Sequence, residues 1–257
     1  MRFYCIKLKT FRLAILLILV VVLLSVNFNG ANASQVFFGY STALRKVPVY
    51  YVNTQQKQVA ISFDAAWGAD KTEKIMDICK EYKVNATFFL VGFWVEDYPE
   101  IAKKIAENGF EIGTHSNTHP DMTKLSVGQM KEELMASCEI IQKATNITPK
   151  LFRAPYGAYN DALIETAECL NLTTIQWDVD TLDWKGLSGG EICKRVLNSV
   201  KSGSIILCHN NSDHILEALP LMLDRLQKQG YKISCIGDLI YENGKTDNNG
   251  MQSEVIV

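Results

Sequence analysis

The feature that most constrains this chain is an alternation that begins near residue 57 and runs to about residue 235. Short unbroken apolar runs are each followed by a polar loop or by a stretch of helical period. Apolar runs of this kind, bounded by turn residues, read as strands buried on both faces. Strands are expected over 59–63, 86–91, 110–113, 150–152, 172–176, 203–207 and 231–235. Helices are expected over 70–83, 98–108, 126–145, 159–170, 189–201 and 213–229, and Ser126 with Gln129 forms a capping-box pattern at the start of the longest. Such a chain builds parallel β/α units, which close into a barrel or lie in an open doubly wound sheet. The first strand runs into Phe63-Asp64-Ala65-Ala66-Trp67 instead of a glycine-rich turn, which counts against a dinucleotide-binding sheet. Residues 34–56 read as a lead-in with one strand over 49–52. Residues 242–257, polar and rich in Gly and Asn, read as a loose tail.

The first 33 residues have a different character. Arg2, Lys7, Lys9 and Arg12 precede an aliphatic run over 13–24, and Ala31-Asn32-Ala33 places small residues where a signal peptidase reads them. This matches a secretory signal peptide. An uncleaved membrane anchor is the alternative, since the apolar run reaches Phe28 if Ser25 and Asn27 are tolerated. A spanning helix needs about 20 apolar residues, which favours cleavage. Either way the rest of the chain is extracytoplasmic, secreted or held at the membrane by this segment alone.

Composition narrows the partners. Of 26 basic and 28 acidic side chains, four basic ones lie in residues 1–33, which leaves 22 against 28, a balance of −6. A mildly acidic domain has no bulk attraction for nucleic acid or anionic lipid. Hydrophobic residues make up 47% of the chain, enough for a core, and beyond the N-terminus they are not pooled into long runs, so several membrane spans are excluded. Cys79, Cys138, Cys169, Cys193, Cys208 and Cys235 occur singly within apolar patterns, without a C-x-x-C pair. Buried free thiols are expected, not a zinc knuckle or a disulfide framework. The domain is expected to be a monomer.

Chemistry collects where strands end. The first strand ends in Asp64, and the third runs into Thr114-His115-Ser116-Asn117-Thr118-His119. The fourth meets Arg153-Ala154-Pro155-Tyr156, the fifth leads to Asp178-Val179-Asp180-Thr181-Leu182-Asp183-Trp184, and the sixth ends Leu207-Cys208-His209. In parallel β/α folds these ends share one rim, where active sites form. His115 and His119 suit one metal ion if their loop curls back. Each residue also has a plainer reading: solvent-facing histidines, Asp64 as a helix cap, Arg153 on a surface acid, Trp184 in the core. His214 has no supporting pattern.

In this order the motifs resemble those of the polysaccharide deacetylase family, carbohydrate esterase family 4, with its NodB homology domain. The resemblance rests on Ser62-Phe63-Asp64-Ala65, His115-Ser116-Asn117-Thr118-His119, Arg153-Ala154-Pro155-Tyr156, Asp180-Thr181-Leu182-Asp183-Trp184 and Leu207-Cys208-His209, within a domain at 57–241. The Phe63-Asp64-Ala65-Ala66-Trp67-Gly68 form of the first motif resembles the sporulation-associated branch. The resemblance implies a distorted (β/α)7 barrel that hydrolyses N-acetyl groups on a glucosamine-type polysaccharide: peptidoglycan, spore cortex or a chitin-like polymer. It implies that His115 and His119 hold a divalent metal such as zinc or cobalt. Asp64 would be the base held by Arg153, and Tyr156 would donate its backbone N–H to the oxyanion. His209 would be the acid tuned by Asp183, with Trp184 and Leu207 walling the acetyl pocket.

One position departs from that pattern. Where the family has a third metal ligand stands Ala65, whose methyl group coordinates nothing. A two-histidine site holds its ion more weakly than the usual three ligands do. A water, or Asp64 itself, would have to fill the place, and Asp70 lies too far along the chain. Two function classes follow: an active metal-dependent deacetylase, or a catalytically weak or inactive glycan-binding member of the family.

Overall fold

The computed structural model describes residues 45–255, so the apolar N-terminal segment, and with it the choice between cleavage and anchorage, lies outside the described residues. Among the described residues no helix is long and apolar enough to cross a membrane. The strands are β1 (Tyr51–Val52), β2 (Gln58–Ala65), β3 (Thr87–Leu90), β4 (Glu111–Thr114), β5 (Leu151–Phe152), β6 (Thr173–Thr174), β7 (Val179–Asp180), β8 (Ile205–His209), β9 (Lys232–Ser234), β10 (Lys245–Thr246) and β11 (Met251–Ser253). The helices are α1 (Thr72–Glu81), α2 (Gly92–Asp97), α3 (Pro99–Glu107), α4 (Val127–Thr145), α5 (Asp161–Cys169), α6 (Gly189–Ser199) and α7 (Ile215–Lys228).

Every residue of β2 is buried, and period-2 alternation divides its side chains between two layers. Val59, Ile61, Phe63 and Ala65 join the cluster that includes Ile75 and Cys79 of α1 and Leu219 and Met222 of α7. Ala60 packs with Phe89, Leu151, Ile175 and Ile205 in a second cluster. The strands run β6-β5-β4-β3-β2-β8-β7 in space, all neighbours parallel, and β9 pairs the N-terminal half of β2. The sheet curls into a distorted (β/α)7 barrel. Its edge strands β6 and β7 do not pair with each other. The lead-in touches both sides instead: Val49 bridges Ile175 and Tyr51 bridges Ser204.

The capping box at Ser126 and Gln129 is present, and Ser188 with Glu191 forms another at the start of α6. Three features differ from expectation. A short helix, α2, precedes α3, with Pro99 at the first position of α3. A further strand, β7, arises in the loop after residue 176. It is two residues long, too short to leave a period. Finally, 245–253 is no loose tail: β11 pairs with β1 in parallel and with β10 in antiparallel. The Asp247 carboxylate accepts the N–H of Asn249 and of Met251, and Gly250 turns at φ 80 beside Tyr50, where a Cβ would lie 2.3 Å from the ring. The Gly/Asn composition belongs to a hairpin turn. Cys79, Cys193, Cys208 and Cys235 are buried free thiols, but Cys138 is half-buried and Cys169, at the end of α5, is exposed.

Candidate active site

Strand register assembles the site. Asp64 pairs with His209 across β2–β8, and Thr114 pairs with Phe152 across β4–β5, so the next residues, His115 and Arg153, follow at the same level. A cavity of about 520 Å³ opens there. Asp64, His115, His119, Tyr156, Trp184, Leu207 and His209 line it. Arg153 and Asp183 stand behind, hydrogen-bonded to Asp64 and His209. His214 lies outside, against Glu217 at the surface.

The Arg153 guanidinium is fully buried, its Cζ 4.1 Å over the Phe89 ring. Its Nη1 donates to Asp64 Oδ1 at 2.7 Å and to Ser62 Oγ at 2.9 Å, and Nη2 donates to the Gln176 carbonyl at 3.2 Å. It therefore serves the cavity and not a surface acid. Burial pushes the Asp64 pKa up, but the neighbouring positive charge, Arg153 first, outweighs it and holds the carboxyl below the usual range. Asp64 caps no helix, since α1 begins only at Thr72.

His115 Nδ1 lies 2.7 Å from the Arg153 carbonyl oxygen. A carbonyl only accepts, so the proton sits on Nδ1 and the Nε2 lone pair is free, 3.6 Å from Asp64 Oδ2. His119 has left-handed backbone (φ 57), and its N–H donates to Ser116 Oγ at 2.9 Å. Its ring sits edge-on among Trp67, His115 and Tyr156, with centroids 4.7–4.9 Å away. Its Nδ1 is buried without a hydrogen-bond partner. Burial lowers the pKa of both histidines, that of His119 to about 4, so both are neutral as metal ligands must be. His115 Nε2 and the unpartnered His119 Nδ1 are nitrogens of the kind a divalent cation takes. Among the described residues no group of three His, Cys, Asp or Glu side chains is placed to hold one. Ala65 is buried in the cluster under the helices and lines no part of the cavity, and Asp70 does not line it either.

Across the cavity, Asp183 is 1% exposed and accepts the His209 ring Nδ1–H and the His209 backbone N–H, each at 2.8 Å. Burial works against the charged imidazole, but the Asp183 hydrogen bond and the charges of Asp64 and Asp183 prevail, and the His209 pKa is raised. This leaves the His209 Nε2–H for the cavity.

The mouth is aromatic. Trp67, Tyr156 and Trp184 are 57%, 69% and 60% exposed, so Trp184 belongs to the rim and not to the core. Tyr156 and Leu182 carry positive φ, 60 and 52, which turns the two loops back at the rim. The sequence motifs include Trp67 and Asp180 without giving them a site role and omit Trp177 and Asn211, yet all four line the cavity. For Trp67 a signal existed: it stands three residues past Asp64 on the same rim.

The strand ends of this barrel gather an arginine-held carboxylate, two neutral histidines and an aspartate-paired histidine, the kinds of group that hydrolytic sites use. Residues 51–175 match the family model for polysaccharide deacetylase. The chain belongs to that family. It is 31% identical over 223 residues to the peptidoglycan-N-acetylmuramic acid deacetylase PdaA of Bacillus subtilis, covering 85% of this chain and 84% of PdaA. It is 36% identical over 172 residues to a peptidoglycan-N-acetylglucosamine deacetylase of Bacillus cereus, covering 67% of this chain. It spans 62% of that relative's length, under two thirds. Among solved structures it resembles BA3943, a CE4 family pseudoenzyme from Bacillus anthracis (33% identity, TM-score 0.74, 81% of this chain and 73% of that one). A mutant of BA3943 with restored enzymatic activity is similar too (37% identity, TM-score 0.73, 75% and 71%).

Proposed function

We propose that this chain is an exported hydrolase that removes N-acetyl groups from a glucosamine-type polysaccharide of the peptidoglycan kind. The observation that carries this reading is the pair Asp64 and His209, side by side in register at the ends of two neighbouring strands and lining one cavity, with pKa values pushed in opposite directions. An amide is a poor electrophile with a poor leaving group, so both sides of its C–N bond need help. Asp64 takes the proton of an attacking water as that oxygen bonds to the acetyl carbon. The backbone N–H of Tyr156 donates to the carbonyl oxygen as it gains charge. The C–N bond then breaks while His209 Nε2 gives its proton to the nitrogen, releasing acetate and a free amine. Arg153 keeps Asp64 ionised and fixed, and Trp184 and Leu207 enclose the acetyl methyl group.

A carboxylate held below the usual range is a weak base, so Asp64 needs a water that is already acidified. A divalent ion such as zinc or cobalt, when bound by His115 and His119, supplies that acidification and polarises the carbonyl. The purified chain is expected to release acetate from N-acetylglucosamine oligomers or peptidoglycan when zinc or cobalt is added.

The second reading, a glycan-binding member with little catalysis, is favoured by Ala65 and by the similarity to a pseudoenzyme. No acetate release with any metal, alongside retained glycan binding, would establish it over the first. Ala65→Asp divides the two further. A large gain in metal content and acetate release means that a carboxylate at this position reaches the site and that its lack limits it. No change means that another group already serves or that position 65, buried under the helices, does not reach the cavity. Because Ala65 is buried, circular dichroism must show the variant folded.

A further inference from the structure

The loop from His115 to His119 is held on both sides by groups that the chemistry above does not use. On one side, the N–H groups of Gly92 and Phe93, at the start of α2, donate to the carbonyls of Ser116 and Asn117 at 3.0 and 3.1 Å. Gly92 has no room for a Cβ, which would fall 2.1 Å from Asn117 Oδ1. On the other side stands Glu133 of α4. Its Oε2 accepts the N–H of Asn117 at 2.9 Å and of Thr118 at 2.8 Å, and its Oε1 accepts the Thr118 hydroxyl at 2.6 Å. One helical turn further, Ser137 Oγ meets Thr114 Oγ1 at 2.6 Å. One face of α4 thus grips the chain one residue before His115 and again two and three residues after it.

The grip matters because this loop carries unfavourable backbone: Ser116 and His119 both have positive φ, 71 and 57. Such conformations are unfavourable for residues with a side chain and persist only where the surroundings over-determine them. A carboxylate accepting two successive backbone N–H groups and a hydroxyl is a strong local constraint, since bonds to a charged acceptor exceed neutral ones. Without it, Asn117 and Thr118 N–H would turn to water and the loop could relax toward ordinary φ, swinging the His119 ring away from His115.

We infer that Glu133 is a positioning residue: it holds the His115–His119 loop in the one backbone conformation that turns both imidazoles to the same cavity. This rests on the two-histidine metal reading proposed above. The test is a cobalt titration of the purified full chain beside Glu133→Ala and Glu133→Gln, followed by the visible cobalt spectrum and by competition with a chelator. Amide hydrogen exchange across 115–119 is measured on the same metal-free samples. Glu133→Ala is expected to weaken cobalt binding about 10–100-fold, the usual cost of losing a group that orients ligands. It should also speed exchange at Asn117 and Thr118. Glu133→Gln keeps one accepting oxygen and should lose less.

A merely structural role would lower the melting temperature and leave the affinity and spectrum of the folded variant unchanged. That outcome overturns the inference. If Glu133→Ala fails to fold, Glu133→Gln carries the test, and wild-type cobalt affinity in that variant overturns it equally. Should the wild-type chain take up no cobalt, the metal reading falls, and exchange alone decides on Glu133: faster in the variants sustains the role, unchanged refutes it.

Discussion

The cavity has two halves built on different terms. In the half made by Asp64, Arg153, Asp183 and His209, each carboxylate accepts from a partner side chain, and neighbouring charges set the direction of the Asp64 and His209 pKa shifts. These residues sit at strand ends, one position past them, or bonded directly to one. The half made by His115 and His119 is the reverse. His119 Nδ1 is buried and unanswered, the His115 lone pair is free, and a loop with two left-handed residues carries the pair. A buried polar group without a partner costs about 1–3 kcal/mol, which a bound cation would offset. On the function proposed above, the contrast means that the proton-moving groups come from the chain itself, while a cation would have to add to the electrophilic help of the Tyr156 N–H.

The largest expected effect tests the complete half. Asp64→Asn keeps the shape but removes the charge that faces Arg153. Acetate release should fall by about 10²–10⁴-fold, the usual worth of a positioned base. Release within a few-fold of wild type would make Asp64 a structural partner of Arg153 only, and the division would collapse. A second experiment sets the halves against each other through metal-linked stability. Cobalt at 100 times its dissociation constant should raise the wild-type unfolding free energy by about 2.7 kcal/mol in urea titrations. His119→Ala should lose that increment. His209→Ala should retain it, from a lower metal-free baseline, because the buried Asp183 carboxylate is left without its imidazole partner. The opposite pattern would place the cation among the wrong residues.

How far all this was legible in the sequence depends on the range over which each feature is decided. β2 and β3 announce themselves, because strands covered on both faces are predominantly apolar. The site residues were legible for a related reason: a residue at a parallel strand's end lies on a known rim. What failed depends on distant partners or on short elements. β11 finds β1 some 200 positions away, and nothing in a Gly/Asn-rich segment separates a hairpin turn from a frayed end. β7 is two residues long. Glu133 reads as one more polar residue of a helix, and its hold on Asn117 and Thr118 exists only once α4 lies beside the loop. Trp177 and Asn211 reach the cavity without standing in any motif. Ala65 was legible as a departure from the family motif, but its burial under the helices needed the strand's alternation in three dimensions.

The smallest effect is the most specific to the complete half. The His209 pKa is raised above its ordinary 6.5 because the Asp183 hydrogen bond, with the charges of Asp64 and Asp183, overcomes burial. As the acid, His209 must be protonated, so acetate release should decline as pH rises through that raised value. The same shift makes protonation favour the fold. Its contribution to stability is complete below the unfolded pKa near 6.5 and is lost as pH rises through the folded value. Asp183→Asn removes the carboxylate and leaves burial with less opposition. The alkaline limb of the rate profile should then move to lower pH, and the matching loss of stability should shrink. The acid limb, set by an Asp64 carboxyl that Arg153 still holds below the usual range, should stay in place. Rates and urea unfolding measured across pH for both proteins check this. An alkaline limb that does not move would mean that the proton on the leaving nitrogen comes from somewhere other than His209, and the half that looks complete would not be.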